Sequence, residues 1–209
     1  MIELTEKQWV LHTVFHPFDG FEDLRFKKAG SILISNIVIA LWFAGTILRE
    51  NFYGKQFVIT SVEDFSILSF IIRTVFLFLA WTVSNRAVCT FFDGEGTIRR
   101  IYIYSAYALI PYTVSLYVQV MLSHILIRDE GIFITLTGVI GILWSAMLIF
   151  TGIKAAHQLS VSKTVLSILF TIAGMIIIIL ILVLAAALIQ QIYVFAATII
   201  AEIEYRLKY

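Results

Sequence analysis

The sequence predicts an all-α membrane protein: a bundle of about five transmembrane helices, with short interfacial helices at the N-terminus and C-terminus. Three observations predict it. Apolar residues make up 60% of the 209 positions, against about 45–50% in soluble domains. Charged residues make up only 14%, and a soluble fold of this size has no core large enough to take up the apolar excess. The apolar residues also fall in long continuous runs and do not alternate at every second position, which favours helices over a barrel.

Residues 1–28 read as a cytoplasmic interfacial segment. Trp9, Val10, Leu11, Phe15, Phe18, Phe21, Leu24 and Phe26 are set among charges there, as in helices that lie at a membrane surface. Pro17 divides the segment, so one or two short helices are expected, the second starting afresh from Asp19. Glu3, Glu6, Asp19, Glu22 and Asp23 leave no cleavable signal peptide.

Residues 29–189 form the membrane domain. A span needs about 20 apolar residues to cross roughly 30 Å of hydrocarbon, and five stretches qualify. They run from about Ser31 to Leu48, Phe65 to Val83, Ile101 to Leu122, Phe133 to Ile153 and Thr164 to Ile189. Thr97 is placed to cap the third, and Pro111 predicts a kink or a packed polar neighbour within it. Gln190 and Gln191 interrupt the last apolar run. Thr164 to Ala201 as one helix would measure about 57 Å, so a break near the glutamines or a helix projecting beyond the lipid is expected, with 190–209 as an outside interfacial helix.

Lysine and arginine set the orientation. Nine of them (Lys7, Arg25, Lys27, Lys28, Arg86, Arg99, Arg100, Lys154 and Lys163) fall on the side of the N-terminus, and five (Arg49, Lys55, Arg128, Arg206 and Lys208) fall on the other. The N-terminus is therefore expected in the cytoplasm. A net charge of +1 gives no footing for nucleic acid, and one cysteine, Cys89, excludes an internal disulfide framework. The common hydrolase, metalloprotease and phosphate-loop motifs are missing. No enzyme activity and no cofactor are expected.

Two groups of polar residues stand out. Arg73 lies about midway along the second span, where a charge costs several kcal/mol. Its functional reading is a contact with an anion or lipid phosphate; the structural one is snorkelling or bonding to carbonyls and tyrosine hydroxyls. With Tyr107 and Pro111 of the tyrosine-rich third span it forms a candidate intramembrane polar site. The second group is Asp19, Asp23, Asn85, Asp93, Glu95, Arg99, His157 and Lys163, all on the inner side by the predicted topology. These are expected to form a hydrogen-bonded and ionic clamp, structural or partner-docking, that ties two inner loops to the N-terminal helix. Asp93-Gly94-Glu95-Gly96 reads as a tight turn whose glycines permit positive φ, more readily than as a cation site. Ala185-Ala186-Ala187 and Gly138-x-x-Gly141 allow close helix approach, between copies or within one chain.

Four segments together resemble the Yip-domain family, the Ypt/Rab-interacting membrane proteins, in its bacterial branch. They are His16-Pro-Phe-Asp-Gly-Phe-Glu-Asp-Leu-Arg-Phe-Lys-Lys28, Asn85-Arg-Ala-Val-Cys-Thr-Phe-Phe-Asp-Gly-Glu-Gly-Thr97, Ser105-Ala-Tyr-Ala-Leu-Ile-Pro-Tyr112 and His157-Gln-Leu-Ser-Val-Ser-Lys-Thr164. The third is similar to the family's Gly-Tyr-x-Leu-x-Pro signature. The resemblance implies a five-span bundle with a cytoplasmic N-terminus. Eukaryotic relatives associate with Rab-type GTPases and with one another, in vesicle traffic and membrane shaping. A long N-terminal extension found in those relatives is missing here, so a small GTPase is an expected partner only for a eukaryotic source. The expectation is a non-enzymatic membrane adaptor in a bacterial cell membrane, with lipids, other membrane proteins and copies of itself as partners. The rival is a transporter of lipid, ion or small solute past Arg73.

Overall fold

The structure is a computed structural model that describes residues 5–57 and 66–208. Glu3 and Phe65, the first residue of the second predicted span, lie outside the described residues.

Two short helices open the chain, α1 (Glu6–Phe15) and α2 (Gly20–Phe26), divided at Pro17 as the sequence predicts. Five helices long and apolar enough to cross a membrane follow. The first is α3 (Ile32–Asn51). The second runs from α4 (Ile67–Ile71) through a π-helical turn at Ile72–Phe76 into α5 (Leu77–Thr90). The third joins α6 (Ile98–Ala108) to α7 (Ile110–Ile125), the fourth is α8 (Gly131–His157) and the fifth is α9 (Val161–Lys208). Among the described residues there is no strand. We call the end of the bundle that holds residues 91–97 and 158–160 the near end, and that holding 52–57 and 126–130 the far end.

Thr97 caps α6 as predicted, its hydroxyl accepting from the Arg100 N–H at 3.3 Å. Pro111 breaks the third span in two. It stands in the first turn of α7, where its missing N–H costs little. The next N–H, of Tyr112, donates to Ser145 Oγ on α8 at 2.9 Å, the packed polar neighbour such a break demands. The tyrosines tie this span to α3. Tyr102 Oη donates to Asn36 Oδ1 at 2.6 Å, Tyr117 Oη donates to the Leu41 carbonyl at 2.8 Å, and the Ser31 N–H donates to Tyr107 Oη at 3.0 Å. Tyr104 is buried against Phe21, ring centroids 5.3 Å apart.

The N-terminal helices are built into the core. Trp9, Phe21 and Leu24 join Tyr104, Tyr107, Leu148, Ala155 and Ala156 in one buried cluster. Trp144, halfway along α8, donates its indole N–H to the Val14 carbonyl at 3.0 Å. The end of α1 therefore reaches well below the near rim.

Gly138 and Gly141 work within the chain. A Cβ on Gly138 would stand 2.1 Å from Gln119 Nε2, and one on Gly141 would stand 2.3 Å from Ser115 Oγ, both on α7. These glycines set the α7–α8 distance, and close approach between spans of one chain is the role the structure gives them. α9 continues through Gln190 and Gln191 without a break. Only its first turns are covered: Thr164, Ser167 and Thr171 are buried, and every described residue from Leu180 onward is exposed.

Candidate functional site: a polar clamp at the near end

The second span's helix extends to Thr90, so Asn85 is helical and does not lie in a loop. That extension turns Ser84 and Asn85 toward α9 and places Asn85 beside the last residue of α8. His157 is 1% exposed and Asn85 is fully buried, and buried polar groups of this kind have to find partners.

The partners form one chain of hydrogen bonds. The Gly96 N–H donates to His157 Nδ1 at 3.2 Å. A backbone amide can only donate, so Nδ1 is unprotonated and the ring hydrogen sits on Nε2. His157 Nε2 then donates to Asn85 Oδ1 at 3.0 Å, which fixes the Asn85 amide orientation. Asn85 Nδ2 donates to Thr171 Oγ1 at 3.0 Å, and Thr171 Oγ1 donates to the Ser167 carbonyl at 2.6 Å. Ser84 Oγ adds a bond to the Thr171 carbonyl at 2.7 Å. One neutral imidazole thus links the 93–97 turn to the second, fourth and fifth spans.

The turn is shaped around that ring. The left-handed residue is Asp93, φ 58°, and neither Gly94 nor Gly96 has a positive φ. The glycines are needed for space: a Cβ would stand 2.6 Å from His157 Nδ1 at Gly94 and 2.5 Å from Cε1 at Gly96. The Gly94 N–H donates to the Cys89 carbonyl at 2.8 Å, closing the turn onto the end of α5. From the turn, Glu95 reaches α2 and accepts from Arg25 Nη2 at 2.6 Å. Arg100 Nη1 donates to the Ala156 carbonyl at 3.3 Å from the other side.

Of the residues predicted for the clamp, Asn85, Glu95 and His157 come together. Asp23 instead accepts from or pairs with His12 at 2.9 Å within the N-terminal helices. Asp19 precedes α2 and gives it no side-chain cap. The side chains of Asp19, Asp93, Arg99 and Lys163 are exposed and make no hydrogen bond or ion pair among the described residues. Arg25 and Thr171 also belong to the arrangement and are not marked by the sequence reading, whereas Gly94 and Gly96 are marked there only as turn residues. Thr171 had a signal: Thr164, Ser167 and Thr171 recur at helical spacing inside an otherwise apolar run, marking one polar face.

The candidate intramembrane residues do not share a site. Tyr107 holds the start of α3, and Pro111 stands at the α6–α7 break. Arg73 is near the far end, because the second helix begins at Ile67 and runs to Thr90. It pairs with Glu50 at 3.0 Å, both side chains about half exposed (55% and 50%). Its guanidinium also lies 5.8 Å above the Phe70 ring. Arg73 and Glu50 line a cavity of about 500 Å³ together with Trp42, Arg49, Tyr53 and Tyr112. Burial pushes the Tyr53 phenol up, with Arg49 acting against it.

The Yip1 domain profile matches residues 11–185, from α1 into the exposed part of α9. The chain belongs to the Yip1 domain family. No curated protein and no solved structure matches it. The Yip1 domain match includes every residue of the clamp and ends where α9 has left the bundle.

Proposed function

We propose that this Yip1 domain protein is a non-enzymatic membrane adaptor whose near end faces the cytoplasm of a bacterial cell and docks other membrane proteins, copies of itself included. One observation carries the reading. The 93–97 turn is pinned by its backbone to His157, while its carboxylates Asp93 and Glu95 are exposed. A rigid turn that presents charge costs little ordering entropy when a partner binds. Nine of the chain's lysines and arginines at this end support the cytoplasmic assignment.

The test is in-cell crosslinking through a photoreactive residue at position 19 or 163, followed by mass spectrometry, in the wild-type chain and in Asp93→Ala and Glu95→Ala. Glu95→Ala should keep its thermal stability to within about 1 kcal/mol, since the Arg25–Glu95 pair is exposed on the glutamate side, and Asp93→Ala should lose about 1 kcal/mol, because a left-handed φ of 58° suits aspartate better than alanine. Both should lose most of the crosslinked partner. Undiminished crosslinks in both variants would overturn the docking role. Labelling of an introduced cysteine at position 93 only from the outside would overturn the orientation.

A second reading, transport of a lipid, ion or small solute past Arg73, is favoured by the cavity that reaches this residue from the far end. The ion pair itself adds little to the fold. Arg73→Gln should lower stability by about 1 kcal/mol or less, measured by thermal unfolding in detergent. Anion flux into proteoliposomes that is lost in Arg73→Gln would replace the adaptor reading with transport.

A further inference from the structure

A second cavity opens at the near end, beside the clamp and sharing Arg25 with it. It measures about 220 Å³ and lies between the end of α2, the 28–30 turn and the first turns of α6. Four cations line it: Arg25, Lys28, Arg99 and Arg100. Two are already engaged, Arg25 with Glu95 and Arg100 with the Ala156 carbonyl. The side chains of Lys28 and Arg99 have no hydrogen bond or ion pair among the described residues. Four like charges around one small space repel each other, and a phosphate entering it would relieve that repulsion.

The surroundings identify the kind of phosphate. Leu24, Ile103 and Tyr104 form the apolar part of the lining. On the outer surface, Phe26 (74% exposed) and Ile98 (56%) stand next in sequence to Arg25 and Arg99. A soluble phosphate needs no apolar margin, whereas the glycerol and first methylenes of a lipid do. Basic pockets between spans are a recognised way to hold anionic headgroups. We propose that this cavity binds the phosphate headgroup of an anionic lipid in the leaflet at the near end.

The probe is phosphatidylglycerol, titrated onto the full chain in a neutral detergent, with phosphatidylcholine as the comparison and native mass spectrometry as the readout. The variant is Lys28→Asn with Arg99→Gln. Lys28 has a left-handed φ of 49°, which asparagine tolerates, and neither side chain supports the clamp. Each charge removed should weaken binding about fivefold, so the pair should weaken it roughly 25-fold. Removing Arg206 and Lys208, at the other end of α9, should leave binding unchanged. Arg99→Gln alone, expected to lose about fivefold, decides the matter should the double variant not fold. Equal retention of the two lipids overturns the proposal, as does undiminished phosphatidylglycerol binding in the variants. Displacement of the lipid by an equal concentration of inorganic phosphate assigns the cavity to a soluble anion and overturns it too.

Discussion

His157→Ala should destabilise the purified protein by about 3–5 kcal/mol in detergent, and much of the variant should be lost before purification. The imidazole fills the space between Gly94 and Gly96, and its removal leaves a cavity that two backbone segments cannot collapse to fill. It also strands the Gly96 N–H and Asn85 Oδ1, each a buried group whose unmet hydrogen bond costs about 1–3 kcal/mol. A coupling experiment separates this cause from a general loss of packing. Gly96→Ala should be damaging alone, because its Cβ would stand 2.5 Å from His157 Cε1. In the His157→Ala background the same change meets no ring, and its cost should fall by at least about 1 kcal/mol. Strictly additive losses in thermal unfolding would show that contact with the ring is not what holds the turn.

The spans were legible because hydrocarbon imposes a length and a composition that any 20-residue window reveals. Local chemistry was legible where it depends on neighbours in sequence: Thr97 as a cap, Pro17 and Pro111 as breaks. Helix ends were harder to place. Asn85, Arg86 and Thr90 look like loop residues by polarity, yet they extend α5 because α9 offers Asn85 and Ser84 hydroxyl and carbonyl partners that sequence distance conceals. The same extension moved Arg73 from mid-span toward the far end, where Glu50 waits just past the first predicted span. The glycines of the 93–97 turn show the limit most plainly. Their spacing suggested conformational freedom, but the structure uses them for clearance around a ring 61 residues away in the case of Gly96. Nothing local encodes that. Thr164, Ser167 and Thr171 are the opposite case, a readable polar face whose partner could not be named.

Gly141→Val should be as damaging as loss of the histidine, at the opposite side of the bundle core. The first Cβ atom would already stand 2.3 Å from Ser115 Oγ, 2.5 Å from Ser115 Cβ and 3.2 Å from the Pro111 carbonyl oxygen. Ser115 cannot simply turn away, because its hydroxyl donates to the Tyr112 carbonyl at 2.7 Å in the turn that follows the break. Pushing α8 back would also pull Ser145 Oγ off the Tyr112 N–H, the bond that satisfies the backbone beside Pro111. Overpacking of this kind costs typically about 1–3 kcal/mol and occasionally more, and here the first carbon already clashes, so a loss of about 3 kcal/mol is expected in thermal unfolding. Gly141→Ala with Ser115→Gly should recover most of it, since of the three nearest contacts only the carbonyl then remains. The result also decides what the paired glycines are for. If they join two copies, the variant should unfold normally and lose only self-association. Packing of α7 on α8 within one chain requires the reverse, in which whatever folded protein survives keeps the wild-type ratio of crosslinked dimer to monomer.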